Sequence, residues 1–179
     1  YSFGPDVENI GTWINKSTVP VPERSNSSIV STNDSYNLVG GVAGNTPLSL
    51  NDRYDKVTDS WMCDVDLPVP LVGHSSEHTI VSGGTTNIEW DESKKVWRNL
   101  CPAPVPVRDH SLHNVGNSNF LINGDSKDIY EYSREKDSWR IVGPNRFSSV
   151  NAASTSINNN IYFRKPLSSL LKDCSIDPN

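Results

Sequence analysis

The chain repeats one short pattern three times: an aromatic residue, six polar residues, and a tryptophan. The three pairs are Tyr54 with Trp61, Trp90 with Trp97, and Tyr132 with Trp139. Aspartate and serine in the intervening segments favour tight turns because their side chains bond the local backbone. The same interval with the same loop chemistry argues against chance. Each copy therefore predicts a β-hairpin whose loop is bracketed by two aromatic side chains.

A further strand is predicted upstream of each hairpin. The segments are Tyr36–Val39 before Gly40-Gly41, His78–Ser82 before Gly83-Gly84, Asn119–Ile122 before Gly124, and Asn160–Phe163 with no closing glycine. β-Branched and aromatic residues favour strands, and glycine allows positive φ and close backbone packing. A dinucleotide-binding loop is not supported, because no helix pattern follows and no third glycine is suitably placed.

The tripeptide Pro-Val-Pro precedes each repeat, at 20–22, 68–70 and 104–106. Proline suits an extended connection because it lacks a donor for a strand ladder. We expect these segments to be crossovers that leave the tryptophan strand of one unit and enter the first strand of the next. Each unit then has four strands, with tryptophan spacings of 48, 36 and 42 residues from Trp13 onward.

The segment Tyr36–Gly41 followed by Asn51–Trp61 resembles a kelch repeat. The resemblance implies an all-β chain, a kelch-type β-propeller in which each repeat is a four-stranded blade. It covers residues 1–165. Within it we expect a blade end at 1–16, blades at 17–62, 63–98 and 99–140, and a partial blade at 141–165, followed by a C-terminal tail at 166–179.

Two blade counts stay open. The propeller has about four blades, three complete and one split between the termini, or the chain is a fragment of a larger propeller. The start at Tyr1 favours a fragment. Open sheet edges would then favour self-association. In the tail, Leu167, Leu170 and Leu171 suit a short amphipathic helix, and a disordered end is the alternative.

Composition narrows the classes of partner and compartment. The formal net charge of −5 argues against nucleic acid. No apolar stretch is long enough to span a membrane. The widely spaced Cys63, Cys101 and Cys174 predict reduced thiols and a cytoplasmic location. N-glycosylation sequons at Asn15, Asn26 and Asn33 favour the alternative, secretion.

The chain offers little catalytic or metal chemistry. His74 with His78, and His110 with His113, have zinc-like spacings, but the repeat position of His74 and His110 also holds Asn26 and Ser148. A position that accepts Asn, His and Ser is a polar repeat position rather than a ligand set. Candidate acids lie in hairpin turns, and no nucleophile elbow is present. We expect no cofactor, no metal and no enzyme activity.

Binding is the preferred function. In kelch propellers an arginine after the crossover proline, followed by small polar residues, commonly engages acidic groups of a peptide, and arginine suits a carboxylate. The matching positions predict contacts with an acidic peptide or loop of a protein partner: Arg24, Asn26, Ser27, His74, Arg108, His110, Ser111, Arg146 and Ser148.

Other interpretations remain beside this one. The arginines instead cap strand ends or pair with nearby acids. The chain is instead a propeller enzyme resembling oxidases or lyases, or a degenerate viral kelch remnant without binding activity. Relatives with a BTB domain deliver substrates to a cullin ubiquitin ligase. The resemblance therefore implies substrate recognition in such an adaptor if the parent protein is longer.

Overall fold

The computed structural model describes residues 2–5, 11–122, 126–145 and 153–164. These residues form strands, turns and irregular segments without a helix, so the expected all-β class is confirmed. In this described part, no helix has the length and apolar character needed to cross a membrane. The predicted tail at 166–179 lies outside the described residues.

Three antiparallel sheets of four strands account for most of the molecule, each in the order of its strands along the chain. The first sheet contains β3 (Ser28–Ser31), β4 (Ser35–Val39), β7 (Asn51–Asp55) and β8 (Ser60–Cys63). The second contains β9 (Ser75–Glu77), β10 (Ile80–Gly83), β11 (Thr86–Asp91) and β12 (Val96–Asn99). The third contains β13 (Ser111–Val115), β14 (Ser118–Ile122), β15 (Asp128–Ser133) and β16 (Ser138–Pro144).

Three two-stranded sheets complete the fold. The N-terminal hairpin pairs β1 (Ser2–Pro5) with β2 (Gly11–Ile14), and the C-terminal hairpin pairs β17 (Ala153–Ile157) with β18 (Asn160–Arg164). A side hairpin, β5 (Val42–Ala43) with β6 (Thr46–Pro47), interrupts the first sheet and was not expected from the sequence. Strand β16 continues to Pro144, four residues past the predicted blade boundary at 140.

The predicted aromatic hairpins are confirmed. Tyr54 lies directly opposite Trp61, Trp90 opposite Trp97, and Tyr132 opposite Trp139, with ring centroids 5.0–5.1 Å apart. The turns form as their composition predicts. Asp55 Oδ1 accepts the N–H groups of Val57 and Thr58 at 2.8 and 3.1 Å. Each turn ends in a residue with positive φ, namely Asp59, Lys95 and Asp137.

The crossovers run as the Pro-Val-Pro segments predict, from the fourth strand of one sheet to the first strand of the next. Leu71 and Val107 follow the prolines and are buried. The N–H of Gly41 donates to Leu71 O at 2.8 Å, and that of Gly84 donates to Val107 O at 2.7 Å. Each crossover therefore passes back over the glycine turn of the sheet it has left.

The hydrophobic core lies between neighbouring sheets rather than within one central cluster. Between the first and second sheets the buried cluster is Val30, Val39, Leu67, Leu71, Val81, Ile88 and Trp90. Between the second and third it is Ile80, Ala103, Val107, Leu112, Leu121, Tyr130 and Tyr132. Successive sheets therefore pack face to face, and the crossovers contribute residues to both interfaces.

Two crossover carbonyls each accept hydrogen bonds from two sheets. The carbonyl oxygen of Val65 accepts Asn51 Nδ2 at 2.8 Å and Trp97 Nε1 at 2.9 Å. That of Cys101 accepts Asn87 Nδ2 at 3.1 Å and Trp139 Nε1 at 3.0 Å. Each tryptophan thus ties its own sheet to the crossover that enters it, and each asparagine ties the preceding sheet to the same point.

The first strands of successive units lie side by side. Strand β3 contacts β9, β9 contacts β13, and β13 contacts β17. Side chains at the start of these strands are therefore neighbours in space although about 36 to 47 residues separate them in the sequence.

Candidate functional site

Two depressions open where the crossovers enter the row of first strands. We call the smaller one the Arg108 groove. It has a volume of about 420 Å³ and is lined by Asn26, Val72, Gly73, Gly84, Val107, Arg108 and Asp109. Two predicted binding residues from different repeats, Asn26 and Arg108, thus share one groove.

The second depression is the serine-histidine cleft, with a volume of about 440 Å³. Its lining residues come from β9, β13, β17 and the crossover before β13: Ser75, Ser76, Glu77, His110, Ser111, Leu112, His113, Ser154, Thr155 and Ser156. The predicted residues His110 and Ser111 lie here. The cleft continues the groove along the chain, because Arg108 and His110 are two positions apart.

Arg108 is exposed, and it makes no ion pair or hydrogen bond with any residue that the structure describes. The other arginines with described side chains each lie within 4 Å of a carboxylate: Arg24, Arg53, Arg98, Arg134 and Arg140. Among the arginines with described side chains, Arg108 is therefore the one whose charge is unpaired and available to an external anion.

Arg24 is buried in an ion pair, and its predicted contact with a partner stays a prediction. Its side chain is 1 % exposed, and its Nη2 lies 2.6 Å from Asp52 Oδ2 and donates to Leu38 O at 3.0 Å. Asp52 occupies the repeat position held by Ile88 and Tyr130 in the other sheets, which face the preceding sheet. A carboxylate at that position needs a buried cation, and Arg24 supplies it. Arg24 is thus a structural ion-pair residue.

His74 is also structural. Its ring is buried, and Nε2 lies 3.1 Å from the carbonyl oxygen of Val39 in the first sheet. Burial lowers the pKa of His74, so the neutral ring is favoured. His74 therefore joins the first and second sheets, and its contact with a partner stays a prediction.

His110 holds the same repeat position one unit later and lies beside Ser82, the counterpart of Val39. Burial, with a contribution from His74, lowers the pKa of His110 to about 4, and the Ser82 backbone opposes that shift. Within the described residues neither ring nitrogen makes a hydrogen bond of good geometry. His110 therefore lies between two sheets and also lines the cleft.

The predicted serines divide in the same way. Ser27 is half-buried, and its Oγ donates to Gly40 O at 3.1 Å, so it supports the glycine turn. Ser111 begins β13 and lines the cleft, and its buried Oγ has no partner among the described residues. The predicted residues Arg146 and Ser148 lie outside the described residues.

Most polar residues of the cleft were not selected from the sequence, His113, Ser154 and Glu77 among them. His113 Nε2 lies 3.0 Å from Ser154 Oγ, and burial lowers the pKa of His113. Burial raises the pKa of Glu77, an effect that His78 partly offsets. The sequence contained a signal for His113, because side chains alternate along a strand and Ser111 and His113 therefore lie on one face.

The cleft does not provide a ligand set for a metal. Over the ranges that the structure describes, no group of three or more His, Cys, Asp or Glu side chains is placed to share an ion. Cys63 and Cys101 are free thiols.

Comparison with known proteins identifies the fold and no family. No protein-family model matches the chain, and no curated protein matches it. Among solved structures, the structure of YjhT is similar with a TM-score of 0.75 at 14% sequence identity, over 86% of this chain and 62% of that one. At this identity the likeness shows the fold alone, and the present chain spans less than two thirds of the YjhT chain.

Proposed function

We propose that the chain is a protein-interaction module that binds an acidic peptide or loop over the Arg108 groove and the adjoining serine-histidine cleft. The observation that carries the proposal is the exposed Arg108, which has no carboxylate partner among the described residues. A planar guanidinium donates two parallel hydrogen bonds to a carboxylate. An acidic side chain of the partner would therefore bind in the groove.

The cleft supplies the rest of the proposed contact. Its hydroxyl groups donate and accept hydrogen bonds, which suits the amides of an extended backbone. The cleft is lined by the carboxylate of Glu77 without a lysine or arginine, whereas the groove is lined by Arg108 as well as Asp109. An acidic side chain of the partner is therefore favoured in the groove. The partner would therefore place its acid at Arg108 and its backbone along Ser75, Ser111 and Ser154.

We further propose that the three sheets are kelch-type propeller blades. Four sequential antiparallel strands per unit, cores between facing sheets, and first strands in one row support this arrangement. In a propeller the row of first strands lines the centre, and equivalent positions from several blades meet there. The groove and cleft would then belong to one end of that centre.

Selection from a random displayed peptide library on the purified chain tests the function. We expect enriched peptides to contain Asp or Glu. The affinity of a selected peptide should fall about 10- to 100-fold in Arg108→Glu, because a lost charge-assisted hydrogen bond costs about 1.5–3 kcal/mol.

The matched control is Arg140→Glu, which changes the same charge on an exposed residue of the outer strand β16. It should leave peptide affinity unchanged. Enriched peptides without acidic residues, or equal affinities for both variants, would show that Arg108 does not select the partner.

A further inference from the structure

Each complete sheet consists of two hairpins, and the chain carries one additional hairpin of each kind at its ends. The inner hairpin joins the first and second strands, and the outer hairpin joins the aromatic and tryptophan strands. In the N-terminal hairpin Phe3 lies opposite Trp13, as Tyr132 lies opposite Trp139. It therefore corresponds to an outer hairpin.

The C-terminal hairpin corresponds to an inner one. It turns through two residues, Asn158 and Asn159, as β13 and β14 turn through Gly116 and Asn117. Strand β17 contacts β13, as β13 contacts β9. Together the two terminal hairpins contain the four strands of one further sheet.

Within one chain these hairpins form separate two-stranded sheets. Ile157 and Tyr162, on the face of the C-terminal hairpin away from the third sheet, are 53% and 54% exposed. At the other end, Ile29 and Tyr36 of the first sheet are 46% and 42% exposed. In the second sheet the face corresponding to that of Ile29 and Tyr36 is covered by its neighbour.

We propose that two copies of the chain associate by exchanging N-terminal hairpins. Strand β1 of each copy pairs along the edge of β18 that has no partner strand among the described residues of its own chain, which completes a four-stranded sheet at both junctions. The first sheet of the incoming copy follows its hairpin in sequence, so its exposed face covers Ile157 and Tyr162. Because the exchange is reciprocal, the dimer has twofold symmetry and closes.

The repeat predicts the register of the new pairing. Phe3 corresponds to Tyr132, and Ile161 to Asn119, which lies opposite Tyr132 in the third sheet. Phe3 of one copy should therefore lie opposite Ile161 of the other, and Ser2 opposite Tyr162. This contact does not involve Arg108, although Thr155, which lines the serine-histidine cleft, lies opposite Tyr162.

The test is a cysteine pair placed at that register. In a chain whose native cysteines are replaced by serine, Ser2→Cys with Tyr162→Cys should form an intermolecular disulfide under mild oxidation. Light scattering of the unmodified chain should give twice its mass of 19.8 kDa. The matched control, Ser2→Cys with Ile161→Cys, is one residue out of register and places the thiols on opposite faces, so it should not cross-link.

A monomeric mass would overturn the proposal, as would a disulfide formed within one chain, which would mean that the hairpins join intramolecularly. A dimer that cross-links equally in both pairs would also overturn it, because the register would be wrong. Arg108→Glu should dimerise normally, so failure of the peptide-binding proposal and failure of this one are distinguishable.

Discussion

At the scale of single residues, the sheets are joined by polar side chains at one repeated position. His74 bonds the sheet before it, and His110 lies at the equivalent place. In the sheet registers Ser28, Ser75 and Ser111 are equivalent, so the first unit has Ser27 there, and its Oγ donates to Gly40 O within its own sheet. One repeat position therefore serves two purposes, depending on whether a complete sheet precedes it.

The burial of His110 at this position predicts that the fold loses stability in acid. The folded-state pKa of His110, about 4, lies below the ordinary value of 6.5, so its neutral ring favours folding above pH 6.5. That contribution is lost as the pH falls from 6.5 towards 4. We expect His110 alone to lower the free energy of unfolding by about 2 kcal/mol between pH 7.5 and pH 5.

Urea denaturation at the two pH values checks this expectation. The variant His110→Asn, whose side chain is polar but does not titrate, should lose about 2 kcal/mol less than the unchanged chain. His78→Asn is the control, because His78 is exposed. An equal loss of stability in the unchanged chain and His110→Asn would contradict the assignment.

The position after the crossover proline does not distinguish the buried Arg24 from the exposed Arg108, because both residues occupy it. Their difference arises across the sheet, where Asp52 replaces an apolar residue and draws Arg24 into the interior. Aligning Asp52 with Ile88 and Tyr130 would have revealed that charge on a core-facing position. The burial of Arg24 thus depends on Asp52, which lies 28 positions further along the chain.

At the scale of elements, local chemistry made the hairpins predictable. An aspartate or serine that bonds its own backbone fixes a turn with little help from distant residues. The side hairpin of β5 and β6 was missed because it is two residues long on each side and has no aromatic pair. The terminal segments were predicted as two parts of one blade, whereas the structure forms them as separate two-stranded sheets.

Gly83 offers a test of how closely a crossover packs on the glycine turn. A Cβ atom at Gly83 would lie 2.7 Å from His74 Cβ, whereas at Gly143 it would meet nothing within 4 Å. We expect Gly83→Ala to destabilise the fold by about 1–3 kcal/mol through overpacking. Gly143→Ala should be neutral or slightly stabilising, since alanine in a strand loses less conformational entropy than glycine.

Thermal unfolding of both variants provides the measurement. Neither glycine has a positive φ, so backbone strain does not distinguish the two substitutions. Equal stabilities would mean that the crossover moves away from Gly83 without cost.

At the scale of the whole molecule, a core divided between facing sheets predicts a graded stability. The second sheet is covered on both faces, and all four residues of β10 are buried. The C-terminal hairpin has one exposed face. Stability should therefore decrease from the second sheet towards β18.

Hydrogen exchange measured by mass spectrometry checks this gradient. In the undimerised chain, amides of β10 should exchange slowest and amides of β18 fastest among these sheets and the C-terminal hairpin, because local opening needs less free energy where fewer apolar contacts are lost. Association by hairpin exchange should slow the exchange of β18. Uniform protection across the sheets would contradict the gradient and indicate one cooperative unit.

The carbonyl oxygens of Val65 and Cys101, which each accept two hydrogen bonds, bear on how such a chain can gain length. A block from 65 to 100 contains its own acceptor, the tryptophan that binds it, and the asparagine that serves the following block. Duplication or recombination at these borders transfers every one of those bonds intact. A break within a block would instead leave an asparagine amide or a tryptophan indole without its acceptor. Related chains that gain or lose length should therefore do so in whole blocks.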